Sequence, residues 1–112
     1  MKDARQWLNE KYPLNQREQV EEIDNSYGEG LKDNLIIENF PNLQKISFSS
    51  NKGITKLVVS DCPLVKEIDA SNNRLTILEI SELTDLEYLH VGNNQLRELN
   101  LEQNTKLKFL IY

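Results

Sequence analysis

From Leu86 onward, apolar side chains fall at Leu89, Val91, Leu96, Leu99 and Leu101, with Asn94 among them. Twenty-one residues earlier the same roles are taken by Val65, Ile68, Ala70, Leu75, Leu78 and Ile80, with Asn73. Twenty-one residues later come Leu107, Leu110 and Tyr112. The copy before Val65 is one residue longer, because Lys52-Gly53 replaces a single residue, and reads Leu43, Ile46, Phe48, Asn51, Ile54, Leu57 and Val59. A looser copy, with Val20, Ile23, Leu31, Leu35, Ile37 and Phe40, precedes it. Seven coincident positions over three copies are not chance in a chain that is 38% hydrophobic. The sequence is a repeat.

Within each copy two short strands are legible. Alternation at Ile46 and Phe48 turns one side of a strand inward, and the next copy lays the same strand beside it. The neighbours run parallel, because each repeat makes a full turn before returning. The second half, as in Leu75-Thr76-Ile77-Leu78-Glu79-Ile80, also alternates with period two and carries β-branched residues. It predicts a back-face strand and no helix, with strands near 35–37, 57–59, 78–80 and 99–101. Asn51, Asn73 and Asn94 stand where the chain leaves the front strand, placed so that a buried amide can satisfy backbone groups freed by the bend. The fold class that follows is a β-rich solenoid with a parallel front sheet and short back-face strands. It is expected to fill residues 20–112 with about four and a half coils.

The pattern Leu-x-x-Leu-x-Leu-x-x-Asn-x-Leu-x-x-Leu-x-Leu, carried by Val65 through Ile80 and its copies, resembles the leucine-rich repeat. More narrowly it is similar to the short irregular subclass of 21-residue repeats. The segments Trp7 to Pro13 and Leu31 to Phe40 look similar to the entry segment of expanded fungal cytoplasmic members, in which a Gly is common where this chain has Asp33. The resemblance implies a solenoid that presents a binding surface, since members of the family mostly bind other macromolecules.

A solenoid must cover its first coil. Residues 1–19 supply an N-terminal helical cap: Asp3 as N-cap, then Ala4, Trp7, Leu8 and Lys11 on one stripe, ended by Tyr12-Pro13. Trp7 is expected to pack on Leu31, Ile23 and their neighbours and not to stack on a ligand. Asn15-Gln16-Arg17-Glu18 has capping-box spacing and predicts a second short turn. The whole makes one domain.

Composition narrows the function classes. Eighteen acidic against thirteen basic residues give a net charge of −5, with no basic face for nucleic acid or an anionic membrane. One Cys and one His rule out an internal disulfide and the usual zinc sites, so neither metal nor cofactor is expected. The N-terminus has no apolar signal core, and the unpaired Cys62 suits a reducing compartment, so a cytoplasmic location is expected.

Candidate chemistry is sparse. Cys62 shares a column with Phe40 and Leu83, which predicts a buried thiol, and Asn104 is the odd member of that column in a frayed or solvated coil. His90, with Asp69 one coil away, predicts a surface charge pair and no enzyme, since no nucleophile completes the pair. Two outward columns remain: Glu22, Lys45, Glu67, Tyr88, Phe109 and Asp24, Ser47, Asp69, His90, Ile111. Both change from acidic and polar to aromatic and apolar. They predict a non-catalytic module that holds a protein or peptide partner through Lys45, Ser47, Glu67, Asp69, Tyr88, His90, Phe109 and Ile111. The rival expectation is the N-terminal structural part of a longer solenoid, fused to a catalytic domain elsewhere and without a binding role. A homodimer is also expected through the C-terminal edge at Leu107, Leu110 and Tyr112.

Overall fold

The computed structural model describes residues 1–28 and 30–112. The chain winds as a β-solenoid with turns of about 22 residues and two parallel sheets. The front sheet takes one short strand from each turn: β2 (Glu22–Asp24), β4 (Lys45–Ser47), β6 (Glu67–Asp69), β8 (Tyr88–His90) and β9 (Phe109–Ile111). Its register places Glu22, Lys45, Glu67, Tyr88 and Phe109 in line, and Asp24, Ser47, Asp69, His90 and Ile111 in line beside them. The back sheet runs β1 (Lys2–Asp3), β3 (Leu31–Glu38), β5 (Gly53–Ser60) and β7 (Ile77–Glu79).

Three of the four expected back strands are present, and no helix spans 75–82. The fourth is not: residues 99–101 form no strand. There the Asn100 side-chain oxygen accepts from the Glu102 N–H at 3.0 Å, a local turn that competes with ladder pairing. The outermost back strand is also poorly covered, with Ile77 at 45% exposure, so little burial offsets the ordering of a further strand.

Between the sheets lies a single column-built core. Ile23, Ile46, Ile68 and Leu89 stack from the front strands, and Leu35, Leu57, Ile37 and Val59 from the back, all nearly inaccessible. An asparagine ladder closes one corner. Asn51 Nδ2 donates to Phe48 O (2.8 Å) and to Asn25 O (3.0 Å) in the turn before. Asn73 Nδ2 donates to Ala70 O (3.3 Å) and across to Phe48 O (2.9 Å), while its oxygen accepts from Ile54 N–H (3.3 Å). Asn94 repeats this on Val91 O (3.0 Å), Ala70 O (2.9 Å) and Leu75 N–H (2.8 Å). The same corner needs a left-handed residue in each turn: Tyr27, Ser50, Asn72 and Asn93 have φ between 54° and 62°. Asp33 is likewise left-handed (φ 68°), at a bulge in the β3–β5 pairing. A conformation that glycine adopts most easily is required there.

The opposite corner corrects the expectation for Asn104. It is buried, not frayed, and its Nδ2 donates to Ile80 O (3.0 Å) and Leu83 O (2.9 Å), serving carbonyls that an apolar residue could not. Cys62, in the same column, is buried and donates to Ser60 O (3.2 Å).

The cap is helix α1 (Ala4–Lys11), started by Asp3, whose carboxylate accepts from Gln6 N–H at 2.9 Å. It packs on the back sheet and buries Ala4, Trp7 and Leu8. The Trp7 ring lies edge-on to Phe48 at 5.7 Å and to Tyr12 at 6.3 Å, which makes it a packing residue. The chain before α1 also joins the back sheet, Lys2 and Asp3 pairing in parallel with Leu31 and Lys32. The second short turn is a 3-10 helix at Leu14–Gln16, so Asn15 lies inside it and caps nothing; Pro13 sets its start. Arg17 is the unforeseen tie. It is buried, with its guanidinium 4.6 Å over Phe40, and it donates to Tyr12 O (2.8 Å), Glu38 O (2.7 Å) and Asn9 Oδ1 (2.8 Å).

Candidate functional site

The front sheet is the candidate site. Its strands are three residues long, so in each the first and third side chains point to the outer face and the middle one to the core side. At the ends of β2, β6 and β8 a polar side chain accepts the N–H two residues on. Asp24 Oδ1 accepts from Ser26 N–H (2.8 Å), Asp69 Oδ1 from Ser71 N–H (3.0 Å), and His90 Nδ1 from Gly92 N–H (3.2 Å). Those bonds fix the directions of Asp24, Asp69 and His90 in the outward row. The hydrogen bonds from Ser26 hold the Asp24 carboxyl below the usual carboxylate range.

Two expectations for this row change. Asp69 and His90 are neighbours in register but form no ion pair. Asp69 is engaged by the Ser71 N–H and hydroxyl (2.7 Å), and His90 Nδ1 accepts from the Gly92 N–H. The Cβ of any residue but Gly at position 92 would meet the His90 ring at 2.9 Å, so the glycine is what lets the ring sit there. Ser47, expected on the surface, is only 8% exposed and shares a hydrogen bond with the Ser26 hydroxyl. Being small, it sinks between the longer side chains of the coils on either side.

The remaining residues divide by character. Tyr88 and His90 are half-buried, while Phe109 (63%) and Ile111 (46%) are exposed, and the Tyr88 and Phe109 rings are 6.4 Å apart. Lys45 reaches Glu67 at 3.9 Å and Lys108 reaches Glu87 at 3.3 Å, both at the exposed surface, where such pairs add little. Around Ser47 the sheet dips into a hollow of about 350 Å³ lined by Asp24, Ser26, Lys45, Glu67, Asp69 and Tyr88. Glu21, Gln44, Lys66 and Glu87 line a second groove, of about 530 Å³, along the margin where the strands begin. These and Ser26 were not singled out from the sequence. Their signal was available, since each margin residue directly precedes a front strand in the same repeat position.

At the last coil Leu107 is half-buried, Leu110 is 37% and Tyr112 84% exposed. A hollow of about 240 Å³ opens beside them, walled by Val91, Leu96, Leu99 and Tyr112. Away from both places, burial pushes the Cys62 thiol up to about 11, so it holds almost no thiolate at neutral pH. Among the described residues no helix is long and apolar enough to cross a membrane. No family model, curated protein or solved structure matches this chain.

Proposed function

We propose that the chain is a non-catalytic protein-interaction module of the leucine-rich-repeat type, working inside the cell, whose front sheet holds a protein or peptide partner. The observation that carries this reading is the apolar patch of half-buried Tyr88 and exposed Phe109 and Ile111 at one end of the parallel front sheet, with the Tyr88 and Phe109 rings 6.4 Å apart. The backbone that carries these aromatic and aliphatic side chains is already ordered in the sheet, so little chain entropy is lost when a partner covers them, and charged side chains rim the patch. The repeat period and the asparagine ladder support the family assignment. The test compares the chain with a Tyr88→Ala, His90→Ala double variant in quantitative capture of binding proteins from the source cell. The variant should keep its circular dichroism and lose the specific partner. Undiminished capture by a folded variant would refute the front-sheet reading.

A second reading is favoured by the exposed apolar end of the last coil, at Leu110 and Tyr112. On that view the chain is the N-terminal structural part of a longer solenoid with no binding role, and front-sheet variants leave every interaction of the full-length product unchanged.

A further inference from the structure

We propose that the hollow over Ser47 receives a lysine or arginine side chain of the partner, while the Tyr88, Phe109 and Ile111 patch receives an apolar residue three or four positions away. This rests on the front sheet being the binding face and names the chemistry of what binds there. The hollow is a built feature. Asp24 and Asp69 stand on β2 and β6, and the coil between them offers only a serine, whose hydroxyl is tied down to Ser26. The space left, about 350 Å³, is ample for an ammonium or guanidinium head and part of its stem. Three carboxylates, of Asp24, Glu67 and Asp69, face it against one ammonium, that of Lys45.

Lys45 does not close the site. Its contact with Glu67 is long (3.9 Å) and its side chain is half exposed, so it swings out at little cost. The carboxylates are also pre-positioned: Asp24 and Asp69 each accept a backbone N–H on one oxygen. A cation bound there would make charge-assisted hydrogen bonds, and the Tyr88 ring forms one wall against which a cation can lie. The acidic hollow and the apolar patch belong to one surface at a fixed distance. From β4 or β6 to β9 is two or three strand spacings, roughly 10–14 Å, which extended peptide spans in about three or four residues.

The probe is a phage-displayed library of random dodecapeptides selected on the intact chain, with the enriched peptides resynthesised and titrated. Two variants separate the claims. Asp24→Asn, Glu67→Gln, Asp69→Asn together remove the charge and keep the side-chain oxygens that accept from Ser26 and Ser71. Phe109→Ser, Ile111→Ser together remove the apolar patch. Enriched peptides should pair Lys or Arg with an aromatic or aliphatic residue three or four positions away. The charge-neutral variant should bind them about tenfold or more weakly, and their affinity for the unaltered chain should fall with added salt. Peptides without a cation, or equal binding by the charge-neutral variant, would overturn the cation site while binding that still depends on Phe109 and Ile111 leaves the front-sheet reading in place. Binding indifferent to both variants would overturn both. Failure to enrich any peptide counts against the cation site.

Discussion

Buried polar side chains at single positions decide more of this molecule's stability than their number suggests. Arg17 offers a fork of N–H donors to two carbonyls and a side-chain amide from three parts of the chain, Tyr12, Glu38 and Asn9, and it covers Phe40. Its loss orphans those acceptors, so Arg17→Ala should destabilise by about 3–5 kcal/mol in urea titration. Lysine cannot present the same fork, and Arg17→Lys should recover less than half of that. Cys62 gives a signature in pH. Its thiol is raised by burial from 9.0 to about 11 in the folded chain, so the folded state holds the proton more tightly than the unfolded one. That contribution is complete below pH 9 and disappears as pH rises through 11. The stability difference between the chain and Cys62→Ala should therefore shrink by roughly 3 kcal/mol across that window. A constant difference would show that the thiol is not held as described.

At the level of strands and turns, the ladder of Asn51, Asn73 and Asn94 ties each turn to the one before it. Removing Asn73 leaves Phe48 O and Ala70 O without its amide and Ile54 N–H without its acceptor. Asn73→Ala should therefore cost about 2–4 kcal/mol. Its neighbour Asn72 is exposed but left-handed (φ 55°), so Asn72→Ala should cost only about 1 kcal/mol, from backbone strain alone. Denaturant midpoints for the two variants, measured side by side, check the distinction. The close approach of the β3 backbone also demands a glycine at Gly53, since a Cβ there would meet Leu31 O and the Met1 Sδ, each at 2.7 Å.

Over the whole molecule the two ends differ. One is closed by α1 and the Lys2–Asp3 strand; at the other, β9 has a neighbour on one side only, and Leu110 and Tyr112 are exposed. Each large apolar side chain covered contributes roughly 1.5–3 kcal/mol, so we expect two copies to pair through Leu107, Leu110 and Tyr112 about a twofold axis. Light scattering at high micromolar concentration should then give twice the monomer mass, and Leu110→Lys should halve it. A monomer throughout, unaffected by the substitution, would remove the dimer.

The repeat period, the parallel strands, the Asp3 cap and the two outward columns were all legible in the residues, because a solenoid stacks each residue on its own copy. Once the spacing is known, neighbours in space follow from neighbours in the alignment of copies, and the Glu67–Tyr88–Phe109 register needed nothing more. What the spacing left open are contacts made between unlike parts. Arg17 reaching Glu38 and Lys2–Asp3 joining the back sheet have no counterpart in the other turns, and Asn104 serves the carbonyls of Ile80 and Leu83 with an amide where Cys62, in the same column, has only a thiol 3.9 Å from Ile37 O. Ser47 was misplaced because alternation gives direction and not depth: a small side chain pointing outward is buried when longer ones stand on both sides. Asp69 and His90 are aligned by register, yet each was already engaged by an N–H two residues ahead, and the nearer donor won. Sequence periodicity thus determined the coil and its faces, while the hollow, the cap's anchorage and the partners of Asp69 and His90 were decided only when side chains of unequal length and fixed hydrogen-bonding capacity were packed together.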